Sequence, residues 1–254
     1  MKKTSQAYTG FADIYDQIMC SVDYEAWADY VEQLLVRFAK KPRSIVDLAC
    51  GTGSSTLPFA YRGYQTAGVD LSPAMLERAR SKTAQKRLPV KFYEQNLCRL
   101  ELPEKYDLAL LFQDGLNYLL SEQQLIEAIN QVYSALNPAS LFIFDLTRPS
   151  LRSGGDTKSL SWADQDDFTL IVESSYSSKE DLWSAHLTVF QQTTDGLYKK
   201  FQENHHEKDH EPDLVTRVLE ETGFKILGTY PSFSLEPSAN SDPKLTFVAE
   251  TKSA

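Results

Sequence analysis

Two aspartates flank a pair of glycines in the first third of the chain. One short apolar segment leads into the run Asp47-x-Ala49-x-Gly51-x-Gly53, and a second one ends at Asp70. Glycine removes the Cβ atom where a backbone must approach a ligand closely. A carboxylate at Asp47 repels a pyrophosphate but can receive a cationic group, or a water bound to one. Asp70 can accept hydrogen bonds from both hydroxyls of a ribose, as acidic residues at this place do in other open α/β sheets.

The residues around these glycines argue against two common phosphate-binding loops. A dinucleotide fingerprint requires a third glycine where this chain has Thr56. A P-loop requires a lysine after its glycines, but no lysine occurs between Lys41 and Lys82. S-adenosylmethionine carries an ammonium and a sulfonium beside its adenosine, so the pattern favours this ligand over a dinucleotide or a nucleoside triphosphate.

Composition narrows the class of protein further. The 254 residues allow one sizeable domain with an insertion, and 42% hydrophobic residues are typical of a globular chain. The net charge of -9 without a cluster of basic residues argues against a nucleic-acid partner. Three distant cysteines predict reduced thiols. No apolar run is long enough to span a membrane. The polar residues after Met1-Lys2-Lys3 predict that no targeting segment is present. We therefore expect a cytoplasmic monomer or homodimer that binds neither nucleic acid nor a membrane.

Hydrophobic periodicity predicts the elements that position these residues. An amphipathic helix over 25–40 precedes an alternation of strands and helices, which indicates a parallel α/β sheet. Ser72 before Pro73 and Ser121 before Gln124 predict helix starts, and one helix is expected to stop at Asn137-Pro138. The predicted strands of this part are 45–49, 65–69, 90–93, 106–112 and 140–146.

The pattern changes after residue 150. Alternating runs at 168–176, 183–192 and 197–203 predict antiparallel strands. A helix from Pro212 to Thr222 and strands at 224–230 and 244–251 then resume the α/β pattern. We therefore divide the chain into an α/β domain, residues 1–149 with 209–254, and an antiparallel insertion, residues 150–208.

With these motifs in place, the sequence resembles the class I S-adenosylmethionine-dependent methyltransferases. Asp47 to Gly53 is similar to their first motif, and Gly68 to Leu76 is similar to their second. The resemblance implies a Rossmann-like sheet of seven strands with the last one antiparallel. More narrowly, the chain resembles a bacterial branch of uncharacterised methyltransferases with an antiparallel β insertion, on three runs: Phe11-Ala12-x-Ile14-Tyr15-Asp16, Asp114-x-x-Asn117-Tyr118 and Glu203-x-His205.

The same resemblance implies which residues hold the cofactor S-adenosylmethionine. Asn96 would meet the adenine amino group and the Leu97 N–H its ring nitrogen, while Tyr15 and Trp27 are either core aromatics or part of an N-terminal helical lid. The full expected set is Tyr15, Trp27, Asp47, Ala49, Cys50, Gly51, Gly53, Asp70, Leu71, Met75, Asn96, Leu97, Gln113 and Asn117.

Methyl transfer from a sulfonium is an in-line displacement, in which orientation and exclusion of water supply much of the acceleration. If the acceptor is an amine or a hydroxyl, a base within reach assists, and the candidates are Asp114, Asp145 and His205 in that order. The cluster of His205, His206 and His210 with Glu203 and Glu207 lies where a strand gives way to a helix. We interpret it as a solvated acidic segment and predict no metal site.

The acceptor stays open. A small molecule is the leading hypothesis, because the run after the fourth strand lacks the features of base methylation in DNA. The insertion either covers the substrate or forms a dimer contact, with the aromatic residues Trp162, Phe168, Tyr176 and Trp183. Two other functions compete: a non-catalytic S-adenosylmethionine sensor or assembly protein, and an NAD-dependent oxidoreductase.

Overall fold

The computed structural model describes Tyr8 and residues 10–238 and 242–253. Residues 1–7, for which the sequence predicts no targeting segment, lie outside this description. The described strands are β1 (Ser44–Leu48), β2 (Gln65–Asp70), β3 (Lys91–Glu94), β4 (Tyr106–Leu111), β5 (Leu136–Thr147), β6 (Thr157–Asp164), β7 (Phe168–Ser177), β8 (Leu182–Gln192), β9 (Tyr198–Lys208), β10 (Lys225–Pro231) and β11 (Lys244–Glu250).

Helices connect most of the strands. Short 3₁₀ helices cover Phe11–Asp13, Met19–Ser21, Leu97–Arg99 and Gly115–Tyr118. The α-helices are α1 (Tyr15–Ile18), α2 (Tyr24–Arg37), α3 (Leu57–Tyr61), α4 (Pro73–Gln85), α5 (Glu122–Ala135), α6 (Pro149–Ser153) and α7 (Pro212–Thr222).

The larger sheet has seven strands in the order β10-β11-β5-β4-β1-β2-β3. Strands β1 to β5 run parallel, and β11 lies antiparallel between β5 and β10. This arrangement confirms the predicted class I methyltransferase sheet with its antiparallel last strand. Because β2 and β4 lie on opposite sides of β1, the order of the strands reverses at β1. Open α/β sheets bind ligands in the crevice at such a reversal.

Both faces of this sheet are covered, so its central strands are mostly apolar, with Asp47, Asp107 and Asp145 as the charged exceptions. One face packs against α5 and α7 through residues such as Leu125 and Leu219. The other face packs Ile45 and Leu108 against Val31 and its neighbours on α2. The sheet is therefore a rigid platform whose carboxyl edge carries the polar residues.

The insertion forms a separate four-stranded antiparallel sheet in the order β6-β7-β8-β9. Its apolar face, which includes Phe168 and Val189, packs against Phe11 and Ile14 of the N-terminal segment. The insertion therefore holds the segment that precedes α2.

Three expectations about the elements were wrong. Strand β6 was not predicted; it is an edge strand whose residues Thr157–Asp164 are nearly all exposed, and its pairing with β7 defines it. Strand β9 extends to Lys208 rather than to residue 203. Helix α5 ends at Ala135, because proline at 138 disfavours helical backbone at the preceding residue, and both belong to β5.

The predicted helix starts are confirmed. The Ser72 hydroxyl accepts the N–H of Met75 at 3.3 Å, and the Ser121 hydroxyl accepts the N–H of Gln124 at 3.2 Å.

Within the described part of the chain, no helix combines the length and hydropathy that crossing a membrane requires.

Candidate active site

The turn after β1 has an unusual backbone. Ala49, Gly51 and Gly53 have φ values of 53°, 54° and 76°, in the left-handed region that favours glycine. The N–H of Cys50 donates to the Val69 carbonyl at 2.9 Å, which ties the turn to β2. A Cβ atom at Gly51 would lie 4.0 Å from the ring of Tyr15, whereas one at Gly53 would lie 3.1 Å from Ala79 of α4. Gly51 therefore leaves space towards the crevice, and Gly53 allows close packing of the turn on a helix.

Asp70 connects this turn to the start of α4. Its Oδ2 accepts the Gly51 N–H at 2.7 Å, and its Oδ1 accepts the Ser72 N–H at 2.8 Å. Burial raises the pKa of this carboxyl above its ordinary value, while the two N–H donors oppose that rise. A carboxylate has about four acceptor positions, so Asp70 retains the capacity to accept further hydrogen bonds from a ligand.

A cavity of about 310 Å³ opens at the carboxyl ends of β1, β2 and β4. This volume suits a small cofactor. Among the described residues that line it, Asp70 is the one charged side chain. The lining consists of Tyr8, Tyr15, Ala49, Gly51, Val69, Asp70, Leu71, Ser72, Pro73, Met75, Gln95, Asn96, Leu97, Cys98, Gln113, Gly115, Tyr118, Leu119 and Gln124.

Nine of the fourteen expected cofactor residues belong to this lining. Asn96 lies there with its Oδ1 accepting the N–H of Cys98 at 2.8 Å, which begins the short 3₁₀ helix after β3. The nine are Tyr15, Ala49, Gly51, Asp70, Leu71, Met75, Asn96, Leu97 and Gln113.

The other five expected cofactor residues are not in the lining. Cys50 and Gly53 belong to the glycine turn, but Cys50 packs near Gly68 and Gly53 packs near Ala79. Trp27 is buried in the core between α2 and the sheet, with its ring centroid 4.6 Å from that of Phe112. The side chain of Asn117 is fully buried and bonds only to backbone groups, donating to the carbonyls of Thr147 and Lys208 at 2.8 and 2.9 Å.

Asp47 is the fifth of these residues. Its Oδ2 accepts the hydroxyls of Ser55 and Thr56 at 2.7 and 2.6 Å. These residues follow the glycine turn, so the carboxylate fixes the chain between the turn and α3. The structure places Asp47 below the cavity floor rather than in it.

We expect Asp47→Asn to change the pH dependence of stability. Burial raises the pKa of Asp47 to about 6 in the folded protein, against about 3.9 in an unfolded chain. The stability linked to this group is therefore complete below the unfolded pKa and is lost as the pH rises through 6. Wild type loses this stability and D47N does not. The unfolding free energy of D47N minus that of wild type should therefore rise by on the order of 1 kcal/mol from pH 5 to pH 8.

Urea unfolding at both pH values measures this shift. Asp107→Asn is the matched control, because the pKa of Asp107 is lowered and its titration lies below this range. Burial acts to raise that pKa, but the N–H groups of Arg43 and Ser44 and the Asn137 amide outweigh the effect of burial. A pH-independent difference for D47N would mean that Asp47 does not titrate in this window.

The candidates Asp114 and Asp145 form a charged cluster with Lys244 of β11. Asp145 is fully buried and accepts the N–H groups of Gln113 and Asp114 at 3.0 and 3.1 Å. The Lys244 ammonium lies 2.9 Å from a carboxylate oxygen of each aspartate. Burial alone would lower the pKa of Lys244, but the two carboxylates outweigh it and raise that pKa above its usual range. Neither aspartate lines the cavity; the cluster holds the left-handed turn at Gln113 and Asp114.

The third candidate, His205, lies behind the cavity wall. It is 4% exposed, and its Nδ1 is 3.0 Å from the hydroxyl of Tyr118. That hydroxyl is 2.6 Å from the hydroxyl of Tyr8, and both tyrosines line the cavity. On its other side, His205 Nε2 is 3.6 Å from Glu203 Oε2.

The prediction of a solvated segment at this place was wrong. Strand β9 continues through Lys208, so Glu203, His205 and Glu207 alternate onto one face of the sheet. Glu203 is 1% exposed. Burial, followed by the charge of Asp114, raises the pKa of Glu207 to about 8. Among the residues that the structure describes, no group of three or more His, Cys, Asp or Glu side chains is arranged to hold a metal ion.

From the sequence, Tyr8 and Lys244 were not named as site residues, and Tyr118 and Glu203 were quoted as members of runs shared with a methyltransferase branch, without a role at the site. Nothing local indicates that residues near 8, 118 and 203 meet.

The aromatic residues of the insertion divide into two groups. Phe168 and Tyr176 are buried in the insertion, and Trp183 packs against its core. Trp162 on the edge strand β6 is 73% exposed. Substrate cover and dimer contact therefore both stay open as roles of the insertion.

Comparison with known proteins agrees with the fold and the cavity. Residues 45–139 match the methyltransferase domain family. A protein of Geobacillus sp. (strain WCH70) that carries the provisional name of methyltransferase is 28% identical over 96% of this chain and 99% of its own length. A dTDP-3-amino-3,4,6-trideoxy-alpha-D-glucopyranose N,N-dimethyltransferase of Streptomyces venezuelae is 28% identical over 53% of this chain and 56% of its own.

A solved structure extends the likeness to the whole chain. The S-adenosylmethionine-dependent methyltransferase from Clostridium acetobutylicum ATCC 824 superposes with a TM-score of 0.83 at 26% identity, over 97% of this chain and 100% of that one. Sheet order, cavity position and full-length similarity therefore agree. Residues 45–139 therefore carry a methyltransferase domain, and the chain has the fold of the class I S-adenosylmethionine-dependent methyltransferases, with S-adenosylmethionine as its cofactor.

Proposed function

We propose that the cavity at the strand ends binds S-adenosylmethionine and that the chain transfers its methyl group to a small-molecule acceptor. The observation that carries this proposal is the charge of the lining. Asp70 is the single charged side chain among the described lining residues, and no lysine or arginine is among them. A pyrophosphate would meet one carboxylate and no cation, whereas a cationic adenosyl cofactor meets a favourable charge.

The residues present fit this cofactor. Asp70 has acceptor capacity for ribose hydroxyls, and Gly51 leaves space where a backbone must lie against a ligand. Asn96 and Leu97 line the cavity and are the proposed contacts of the adenine, and Tyr8 and Tyr15 also line it, where an aromatic ring can attract a cation. When bound, S-adenosylmethionine supplies an electrophilic methyl group on a good leaving group. The contribution of the chain is to orient the acceptor and to exclude water.

A small acceptor is supported by charge and by similarity. The net charge of -9 disfavours a polyanionic substrate such as nucleic acid. The Streptomyces venezuelae relative is named for methylation of an amino sugar, which favours a small polar molecule with a nucleophilic nitrogen or oxygen. The insertion then serves as a cover, because β9 places Glu203 and His205 against the segments that wall the cavity.

Calorimetric titration tests the cofactor half of the proposal. We expect one equivalent of S-adenosylmethionine or of its demethylated product to bind, and NAD not to bind. Binding of NAD in preference to both would overturn the proposal in favour of an oxidoreductase.

An acceptor screen with methyl-labelled S-adenosylmethionine tests the second half. We expect transfer to a member of a panel of small amines, phenols and carboxylic acids, and none to RNA. Tight cofactor binding with no transfer across the whole panel would favour a sensor or assembly protein instead.

A further inference from the structure

We propose that Tyr118 is a catalytic residue that takes the proton of the acceptor, and that His205 and Glu203 are positioning residues that draw this proton into the protein. This inference rests on the proposed function, since it concerns the acceptor of the same reaction. It assigns a role to four side chains, Tyr8, Tyr118, His205 and Glu203, that lie in series from the cavity wall to a buried carboxylate. The first three are within hydrogen-bond distance of one another, whereas His205 Nε2 lies 3.6 Å from Glu203 Oε2 and has no hydrogen-bond partner among the described residues.

Glu203 is held in a fixed position beside the histidine. Its Oε1 accepts the N–H groups of Gly10 and Phe11 at 2.7 and 3.0 Å, and its Oε2 accepts the N–H of Tyr8 at 2.7 Å. The carboxylate is therefore held in one position, with Oε2 facing His205 Nε2 at 3.6 Å. Burial acts to raise the pKa of Glu203, but His205 and the three N–H groups outweigh it and lower that pKa, so the group stays ionised at neutral pH.

The direction of the hydrogen bonds follows from this carboxylate. An ionised carboxylate only accepts, so the electrostatically favoured imidazole carries its proton on the Nε2 that faces Glu203. Nδ1 is then a lone pair and accepts from the Tyr118 hydroxyl at 3.0 Å. The Tyr118 oxygen in turn accepts from Tyr8 at 2.6 Å and presents its remaining acceptor capacity to the cavity.

The phenols act as neutral relays. Burial raises the pKa of Tyr8 and of Tyr118 well above the ordinary value, so neither forms a tyrosinate at neutral pH. In the proposed step the N–H or O–H bond of the acceptor breaks and its electron pair stays on the acceptor atom. The released proton bonds to the Tyr118 oxygen while the hydroxyl proton of Tyr118 moves to His205 Nδ1. The resulting imidazolium is stabilised by Glu203, the same logic by which a base is oriented by a third group in a catalytic triad.

The other candidate bases are engaged elsewhere. Asp114 binds Lys244 and the Thr147 hydroxyl, and Asp145 binds Lys244 and two backbone N–H groups. Neither is among the described lining residues, whereas Tyr118 is. Tyr118 is therefore the lining group with a direct connection to a buried imidazole.

The tautomer of His205 tests the relay without any acceptor. The full chain with ¹⁵N-labelled histidines has four such residues, and loss of a signal in His205→Asn assigns the one of interest. A long-range proton–nitrogen spectrum at pH 7.5 should show the Nε2–H form of His205 in the wild type and in Tyr118→Phe. In Glu203→Gln we expect a shift of population towards the Nδ1–H form. A wild-type His205 in the Nδ1–H form overturns the relay.

Kinetics with an acceptor from the screen provide the second readout. Tyr118→Phe should lower kcat by about 100-fold with a KM within about threefold of wild type, because loss of a general base costs the chemical step rather than binding. His206→Asn is the matched control, since His206 lies on the same strand but bonds to Ser184 on the other face. A Tyr118→Phe enzyme with at least half of the wild-type kcat overturns the relay.

Calorimetry separates this proposal from the proposed function. If wild type fails to bind S-adenosylmethionine, the proposed function fails. If wild type and Tyr118→Phe both bind it and transfer methyl groups equally well, only the relay fails.

Discussion

Replacing Asp70 with alanine is expected to weaken S-adenosylmethionine binding by about 100-fold or more. Hydrogen bonds to a charged group contribute roughly 1.5–3 kcal/mol each, so loss of two bonds to ribose hydroxyls corresponds to at least that factor. The same substitution also removes the acceptor that holds the N–H groups of Gly51 and Ser72, which shape the floor of the cavity. Calorimetric titration of wild type and D70A measures the change.

A matched control is available at the opposite edge of the sheet. Asp107 also accepts two backbone N–H groups, from Arg43 at 2.8 Å and Ser44 at 3.2 Å, but it does not line the cavity. Asp107→Ala should therefore lower stability without changing cofactor affinity. If D70A binds within about threefold of wild type, the cofactor does not use this carboxylate and the proposed binding mode is wrong.

The second large effect is expected at Asp145 and Lys244. Removing one partner of a buried ion pair costs about 3–5 kcal/mol of stability. Lys244→Met leaves the fully buried Asp145 and its neighbour Asp114 without the cation that lies between them. Asp145→Ala also leaves two backbone N–H groups at Gln113 and Asp114 without their acceptor. We therefore expect either D145A or Lys244→Met to lower the unfolding free energy by this amount in urea denaturation.

Coupling between the two positions checks the physical cause. The D145A/K244M double variant should cost less than the sum of the single variants, because each single variant already removes the interaction between Asp145 and Lys244 and the second change cannot remove it again. Lys91→Met is the control, since Lys91 forms an exposed ion pair with Glu104 and should give no measurable change. Strict additivity of the two single effects would show that Asp145 and Lys244 do not stabilise each other.

Asp145 illustrates how a residue type can mislead. A carboxylate at the end of a central strand is a reasonable candidate base, and the sequence cannot show which groups surround it. In the structure Lys244 arrives from β11, about one hundred residues later, and engages that carboxylate. The proposed role of Asp145 is therefore to position the Gln113–Asp114 turn rather than to touch the acceptor.

What the sequence determined by itself was local. The glycine turn, the carboxylate that ends β2 and the helix start at Ser72 follow from short-range steric and hydrogen-bonding rules. These features point to the cofactor pocket, because ligands of open α/β sheets bind at the carboxyl ends of the parallel strands.

Only the tertiary structure decided which way side chains point and which distant segments meet. Asp47 belongs to the glycine motif, yet the hydroxyls of Ser55 and Thr56 turn its carboxylate away from the cavity. The contact between Tyr118 and His205 joins positions 87 residues apart and depends on how the insertion sheet packs over the strand ends. Such contacts follow from burial of complementary surfaces, and no pattern within a single segment contains them.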